Sequence, residues 1–184
     1  MSQPHQKEDQ KLLFRALKFA AHKHRHQSRK GLEPIPYINH PICLADLLVN
    51  VGHVNDSETI AAALLHDTVE DTKTTVAELK RQFGPTVAKL VAELSDDKGL
   101  PSEKRKQFQI EHAPTLSPRA RLIKLADKTC NLRDIIGDPP KGWSLKRKRE
   151  YFDWAKKVID KIRGTNAALE KAFDEAFSKR RSIR

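Results

Sequence analysis

Apolar positions recur along the chain with the three-to-four-residue spacing of helices that bury one face. Residues 9–28 carry Leu12, Leu13, Ala16, Leu17, Ala20 and Ala21 at that spacing. The stretch Gly31 to Pro36 interrupts the pattern. Pro41, suited to a first helical position, predicts a second helix through Ile42, Leu44, Ala45, Leu47 and Leu48. Asp56 or Ser57 is placed to cap a third helix, Glu58 to about Val69, dense in alanine and leucine. Thr75 with Glu78 forms a capping-box pattern before a short helix ending near Gly84, and Pro85 starts the next, through Leu94. Pro101 and Pro114 bracket another, and Pro118 opens a strongly apolar helix from Arg119 to about Ile136. GDPPKGW (137–143) is loop sequence. Ser144 caps a helix to Arg163 that Gly164 stops, and a last helix occupies about Asn166 to Lys179.

Alternating β-branched runs and Asn-Gly hairpins are absent, so no strand competes. The predicted fold is all-α: a single domain of 184 residues, a helical bundle with a C-terminal helical pair packed on it. Its core is expected over about residues 9–163, with a basic C-terminal helix at 166–180. Internal repeats and low-complexity linkers are not visible.

Composition narrows the class. Hydrophobic residues make up 38% and charged residues 32%, as in soluble globular chains, and no run reaches the roughly 18 apolar residues of a membrane span. The opening MSQPHQKEDQ is polar and lacks the apolar centre of a secretion signal. Cys43 and Cys130 lie in apolar surroundings without a CxxC pair, which favours small buried free thiols over a disulfide or metal role. Together these features predict a reducing, cytoplasmic setting. The net charge of +11 attracts polyanions: nucleic acid, a polyphosphate nucleotide or an anionic membrane. Much of the excess sits late in the chain, at Lys146, Arg147, Lys148, Arg149, Lys179, Arg180, Arg181 and Arg184. Such runs are ordinarily solvated helix faces, so a bulk nucleic-acid role is disfavoured.

The densest chemistry lies in His66-Asp67-Thr68-Val69-Glu70-Asp71, at the end of the alanine-leucine helix. His66 and Glu70 are four apart, as are Asp67 and Asp71, so on a helix each pair shares a face. Three acids in one place repel, and the helix dipole disfavours them at a C-terminal end. A divalent cation offsets both costs. His40 precedes a helix in Tyr37-Ile38-Asn39-His40-Pro41, and Asp127 sits on a partly apolar face near Ile123, Cys130 and Asn131. Alone, His40 reads as a capping or hydrogen-bonded core histidine and Asp127 as the partner of an arginine. With His66-Asp67 they complete a two-imidazole, two-carboxylate set with room for water, suited to an N/O-preferring ion such as Mn²⁺. His22 and His53 fall outside the set and read as surface residues.

The segments RKGLEPIPYINHP (29–41), ALLHDTVEDT (63–72) and KLADKTCNLRD (124–134) resemble the hydrolase domain of the RelA/SpoT family, an HD-domain family. The resemblance is nearest to stand-alone small alarmone hydrolases of the metazoan SpoT-homologue kind, and runs from about Ala16 to Trp154. Ser95-Asp96-Asp97-Lys98 and Glu150-Tyr151-Phe152-Asp153-Trp154 also look like that group. The resemblance implies that His40, His66, Asp67 and Asp127 bind one divalent metal, usually manganese. It implies that Glu70 and Asp71 position and activate the attacking water. Arg29, Lys30 and Asn131 match substrate-contacting positions, and Tyr37 and Tyr151 would line the nucleoside pocket. The implied reaction removes the 3′-pyrophosphate from guanosine tetra- or pentaphosphate, a small-molecule guanine nucleotide. No synthetase domain is expected within residues 1–184. Two alternatives stand beside it. One keeps the site but acts on another nucleotide, as a 2′-phosphatase of NADPH. The other is a basic nucleic-acid-binding or regulatory protein with a vestigial site, which predicts missing ligands, and none is missing. Oligomeric state is open.

Overall fold

The alanine triplet Ala61-Ala62-Ala63 sets the centre of the fold. All three residues are fully buried, and side chains that end at Cβ let neighbouring helices come close on several sides. They lie on helix α3 (Ser57–Leu65), which packs against α1 (Gln3–Lys23), α2 (Asn39–Asp46), α6 (Pro85–Leu94) and α8 (Pro118–Gly137). The computed structural model of the protein describes residues 3–183, so Arg184 of the basic C-terminal set lies outside the described residues. Helix α4 (Thr68–Asp71) follows α3, and α5 (Val76–Phe83) forms a hairpin with α6. Helix α7 (Ser102–His112) leads to α8. Helices α9 (Leu145–Asp160) and α10 (Ala167–Ser178) both pack on α8 as the C-terminal pair. Phe152 and Phe173 anchor the pair, both fully buried.

Among the described residues the chain is all-α; only an isolated bridge between Ser28 and Pro36 is extended pairing. No helix among them is long and apolar enough to cross a membrane. The helix starts follow cap chemistry. Side-chain oxygens of Asp56, Thr75, Ser117, Ser144 and Asn166 accept from the backbone N–H three residues on, each worth about 1 kcal/mol. The Thr75 box closes on one side only: Glu78 turns its carboxylate to Lys23 at 3.0 Å, tying α5 to α1.

Helix α1 starts at Gln3 rather than residue 9 and α9 ends at Asp160 rather than Arg163, and three further boundaries differ from expectation nearer the site. The first helix ends at Lys23 rather than near 28, because the chain turns at His24–His26 to pair Ser28 with Pro36. The second begins at Asn39, so Pro41 is its third residue, where its missing N–H still costs no helical bond. It passes into a π-turn, Leu47–Val51, closed by Gly52. A Cβ on Gly52 would stand 2.9 Å from the Leu48 carbonyl oxygen and 3.0 Å from Leu169, so this residue sets how closely α10 seats. The third difference falls on the motif itself. Helix α3 stops at Leu65 rather than Val69, and the chain turns at His66–Asp67 before α4. Asp67 has φ −91° and ψ −4°, between helix and turn, and the Thr68 hydroxyl donates to the Leu65 carbonyl at 2.7 Å.

The basic C-terminal run is only partly a solvated face. Arg180 binds Asp153 through two bonds of 2.6 Å, and Arg163 binds Asp174 at 2.6 and 3.0 Å. The first pair ties the turn after α10 back to α9, and the second ties the turn after α9 to α10.

Candidate metal centre and its cavity

The turn at His66–Asp67 presents the two side chains together at the end of α3. His66 Nε2 stands 3.0 Å from Asp67 Oδ2. Helix α2 brings His40, whose Nε2 lies 3.9 Å from Asp67 Oδ2 and 3.3 Å from Asp127 Oδ1. Donor atoms of His40, His66 and Asp67 all fall within 4.8 Å of one another. Octahedral ligands about 2.1 Å from an ion are roughly 3.0 Å apart when adjacent and 4.2 Å when opposite, so these separations suit one small divalent cation. His40 and His66 are buried. His66 Nδ1 faces the Ala63 carbonyl at 2.9 Å; a proton held there leaves Nε2 to face the acids, the arrangement typical of ligating histidines.

Electrostatics support a cation in this place. Burial opposes a charged His66, yet the Asp67 carboxylate outweighs it and raises the imidazole pKa. Burial likewise opposes the Asp67 carboxylate, but His66 and then His40 hold its pKa far below the usual range. The field that favours a proton between His66 and Asp67 favours a divalent cation there as well. For His40, burial dominates and lowers the pKa, keeping the imidazole neutral as a ligand must be. Asp127 is ionised despite burial, because Lys128 lies 3.0 Å from its Oδ2 and His40 is close by. Asn131, one turn further along α8, donates to Asp127 Oδ1 at 2.6 Å.

Glu70 and Asp71 stand beside this centre on α4. The i to i+4 geometry survives for Asp67 and Asp71, whose backbones bond at 2.8 Å. For Glu70 the partners are elsewhere: it accepts from the Asp96 N–H at 3.1 Å and lies 3.6 Å from Arg105. Its pKa is raised, chiefly by burial, with Asp96, Asp67 and Asp71 adding like-charge repulsion against the Asp96 N–H bond. Asp71 accepts from Lys98. Gln27, in the turn that follows α1, donates to the Asp71 carbonyl at 2.7 Å and holds the backbone of α4 in place.

The predicted substrate contacts separate into three kinds. Arg29 is held at the cavity wall, its guanidinium bonded to Asp134 at 2.5 Å and to Asn131 Oδ1 at 2.8 Å. Lys30 is an exposed rim residue whose carbonyl accepts from the Lys141 N–H at 2.9 Å. Asn131 bridges Arg29 and Asp127, so it buttresses the carboxylate as well as facing the cavity. Tyr151 lies in the far wall beside Trp143, ring centroids 5.8 Å apart, with its pKa pushed up to about 12 by burial. Tyr37 is turned inward: its hydroxyl donates to Asp67 Oδ2 at 2.5 Å and lies 3.2 Å from Asp71 Oδ2, and its ring stacks on buried His24. His22 and His53 are exposed.

The predicted metal, catalytic and substrate residues line one cavity of about 750 Å³, the size of a nucleotide site. Four cations that sequence patterns left unassigned also face it: Lys98, Arg105, Lys124 and Lys128. Lys124 and Lys128 are buried one turn apart on α8, and Lys128 lies over the Trp154 ring at 4.4 Å. Burial and the neighbouring Lys128 lower the Lys124 pKa. The signal for these two was the i to i+4 lysine spacing flanking Asp127; for Lys98 it was the Ser95–Lys98 segment, and for Arg105 there was none.

A family model of the HD domain matches residues 16–153. The chain is 52% identical to guanosine-3′,5′-bis(diphosphate) 3′-pyrophosphohydrolase MESH1 of Danio rerio, over 92% of this chain and 94% of that one. It is 51% identical to the Homo sapiens protein of the same description, over 91% and 94%. A solved structure described as a metazoan orthologue of SpoT that hydrolyses ppGpp superposes with a TM-score of 0.89 at 47% identity, covering 92% of this chain and 95% of that one.

Proposed function

The chain belongs to the HD-domain family, in its stand-alone RelA/SpoT-type branch, and on that premise we propose that it hydrolyses guanosine-3′,5′-bis(diphosphate) to GDP and pyrophosphate. The carrying observation is the convergence of His40, His66 and Asp67 donors within 4.8 Å beside two braced acids, on the wall of a cavity rich in cations.

Two imidazoles and two carboxylates are an N/O donor set of the kind that takes manganese, and His40, His66, Asp67 and Asp127 would hold it. When bound, such an ion lowers the pKa of water and polarises a phosphoryl oxygen. The remaining steps belong to the protein. Glu70, with its raised pKa, accepts the proton of the attacking water, and Asp71 fixes that water's position. Arg29 and Lys30 meet the 3′-pyrophosphate; the Asp134 and Asn131 bonds hold the Arg29 fork ready for phosphate oxygens. Lys98 and Arg105 supply further charge near Glu70 and Asp71, and Lys124 and Lys128 line the cavity on the α8 side. Tyr151 and Trp143, their rings tilted 50° to each other, offer aromatic faces against which a purine can lie.

The test is metal dependence on this substrate. Protein stripped with a chelator should leave guanosine tetraphosphate intact, and Mn²⁺ should restore release of GDP and pyrophosphate. Undiminished turnover after verified metal removal would overturn the metal-centred reading.

A further inference from the structure

The two cysteines, 87 residues apart in sequence, meet: Cys43 Sγ and Cys130 Sγ are 2.8 Å apart. Cys43 lies on α2 one turn after His40, and Cys130 lies on α8 one turn after Asp127. The thiol pair therefore spans the same two helices whose His40 and Asp127 side chains face each other at 3.3 Å. A disulfide needs about 2.05 Å between sulfurs, so closure asks for roughly 0.8 Å of approach, within reach of small side-chain rotations. The two thiols differ in access. Cys130 is buried, whereas Cys43 is half-buried and lines the substrate cavity, open to a small oxidant.

We propose that Cys43 and Cys130 form a reversible disulfide that fastens α2 to α8 beside the metal centre. With hydrogen peroxide as oxidant the step balances. The Cys43 thiolate attacks one peroxide oxygen, the O–O bond breaks, and hydroxide leaves and is protonated to water, giving a sulfenic acid. The Cys130 thiol then attacks that sulfur; the S–S bond forms, the S–O bond breaks, its proton is lost, and a second water departs. Two thiols give up two electrons and two protons, and one peroxide becomes two waters. The hydrogen bond from the Cys130 thiol lowers the Cys43 pKa and assists the first step, against the opposing effect of burial. A dithiol or glutathione reverses the bridge.

The bridge closes a long loop, so it stabilises the fold and restrains the two helices that carry His40 and Asp127. The consequence for metal retention rests on the hydrolase reading; bridge formation does not. Treating the intact protein with stoichiometric peroxide should remove both thiols within one molecule and lower its mass by about 2 Da. It should also raise the melting temperature by roughly 5–15 °C. Dithiothreitol should restore the thiols and the mass. Cys43→Ser and, separately, Cys130→Ala should abolish the mass loss. In Mn²⁺-loaded protein, loss of metal to a chelator should be slower in the oxidised form by roughly threefold or more. Two surviving thiols, oxygen adducts without bridging, or bridges between molecules would overturn the disulfide. A bridge with an unchanged rate of metal loss would overturn its fastening of the centre. Failure to bind metal in either form would count against the hydrolase reading, while thiol count and mass still decide the disulfide.

Discussion

The Tyr37 hydroxyl donates to Oδ2 of Asp67 at 2.5 Å, linking a residue of the 29–41 segment to one of the candidate metal triad. The same hydroxyl lies 3.2 Å from Asp71. One phenol therefore sets the relative position of the proposed metal donor Asp67 and the proposed water-positioning acid Asp71. Burial, followed by the Asp67 charge, pushes its pKa far up, so it stays a donor at any working pH. Tyr37→Phe should keep the fold, since ring stacking on His24 remains. Metal affinity should fall by about 10- to 100-fold, the usual loss when an outer partner of a ligand is removed. Titration of stripped protein with Mn²⁺ measures it.

Asp127 and Glu70 should fail in different ways. Asp127→Ala removes a carboxylate that faces His40 and leaves Lys128 buried without its partner. Metal content and turnover should vanish together. Glu70→Gln keeps a side chain of the same shape able to accept from the Asp96 N–H. It should retain the metal and lose about 10²- to 10⁴-fold in kcat. Metal analysis alongside kcat separates the two. Near-normal turnover in Glu70→Gln would remove the water-activating role.

The pH profile carries the Glu70 environment. A general base works only when ionised, and burial raises the Glu70 pKa above its ordinary 4.5. Activity should therefore be lost as pH falls through a value higher than that of an exposed glutamate, and Glu70→Gln should lack that limb. For stability the sign runs the other way. The folded-state pKa is raised, so the Glu70 contribution is fully present below the unfolded pKa and is lost as pH rises through the folded one. Relative to Glu70→Gln, the wild-type melting temperature should fall as pH rises through the folded Glu70 pKa, while wild-type kcat rises across the same range.

Gly31 sits where the 29–31 segment docks on the end of α8. An added Cβ would lie 1.6 Å from Asp138 Oδ2, while the next residue's N–H donates to Asp138 Oδ1 at 2.7 Å. Gly31→Ala should turn the Asp138 side chain away, break its bond from the Leu32 N–H and so loosen the segment that carries Arg29 and Lys30. We expect a rise in KM of about tenfold, as when roughly 1.4 kcal/mol of phosphate binding is lost, with little change in melting temperature. A fall in kcat with KM unchanged would contradict this placement of the segment.

Much of this architecture was legible in the chain because the signals were local. Asp56, Thr75, Ser144 and Asn166 announce their helices by cap chemistry, and the alanine-leucine run announces the centre. The conjunction of His40, His66-Asp67 and Asp127 was legible as well, since those residue types have few other reasons to accompany one another on apolar helices. What the periodicity hid was the break at His66–Asp67. Residues 58–69 keep helical spacing straight through it, and only tertiary contacts decide that the chain turns. That break sends Glu70 to Asp96 and Arg105 rather than to His66. Long-range partners such as Arg29 with Asp134, Tyr37 with Asp67, and Cys43 with Cys130 lie 30 to 105 positions apart. No local pattern records them.

The most direct test of the hydrolase reading is product identification by ³¹P NMR, with Mn²⁺-loaded protein given guanosine tetraphosphate and NADPH in separate tubes. The account predicts pyrophosphate and GDP from the first. Release of inorganic phosphate from NADPH, with guanosine tetraphosphate untouched, would contradict it.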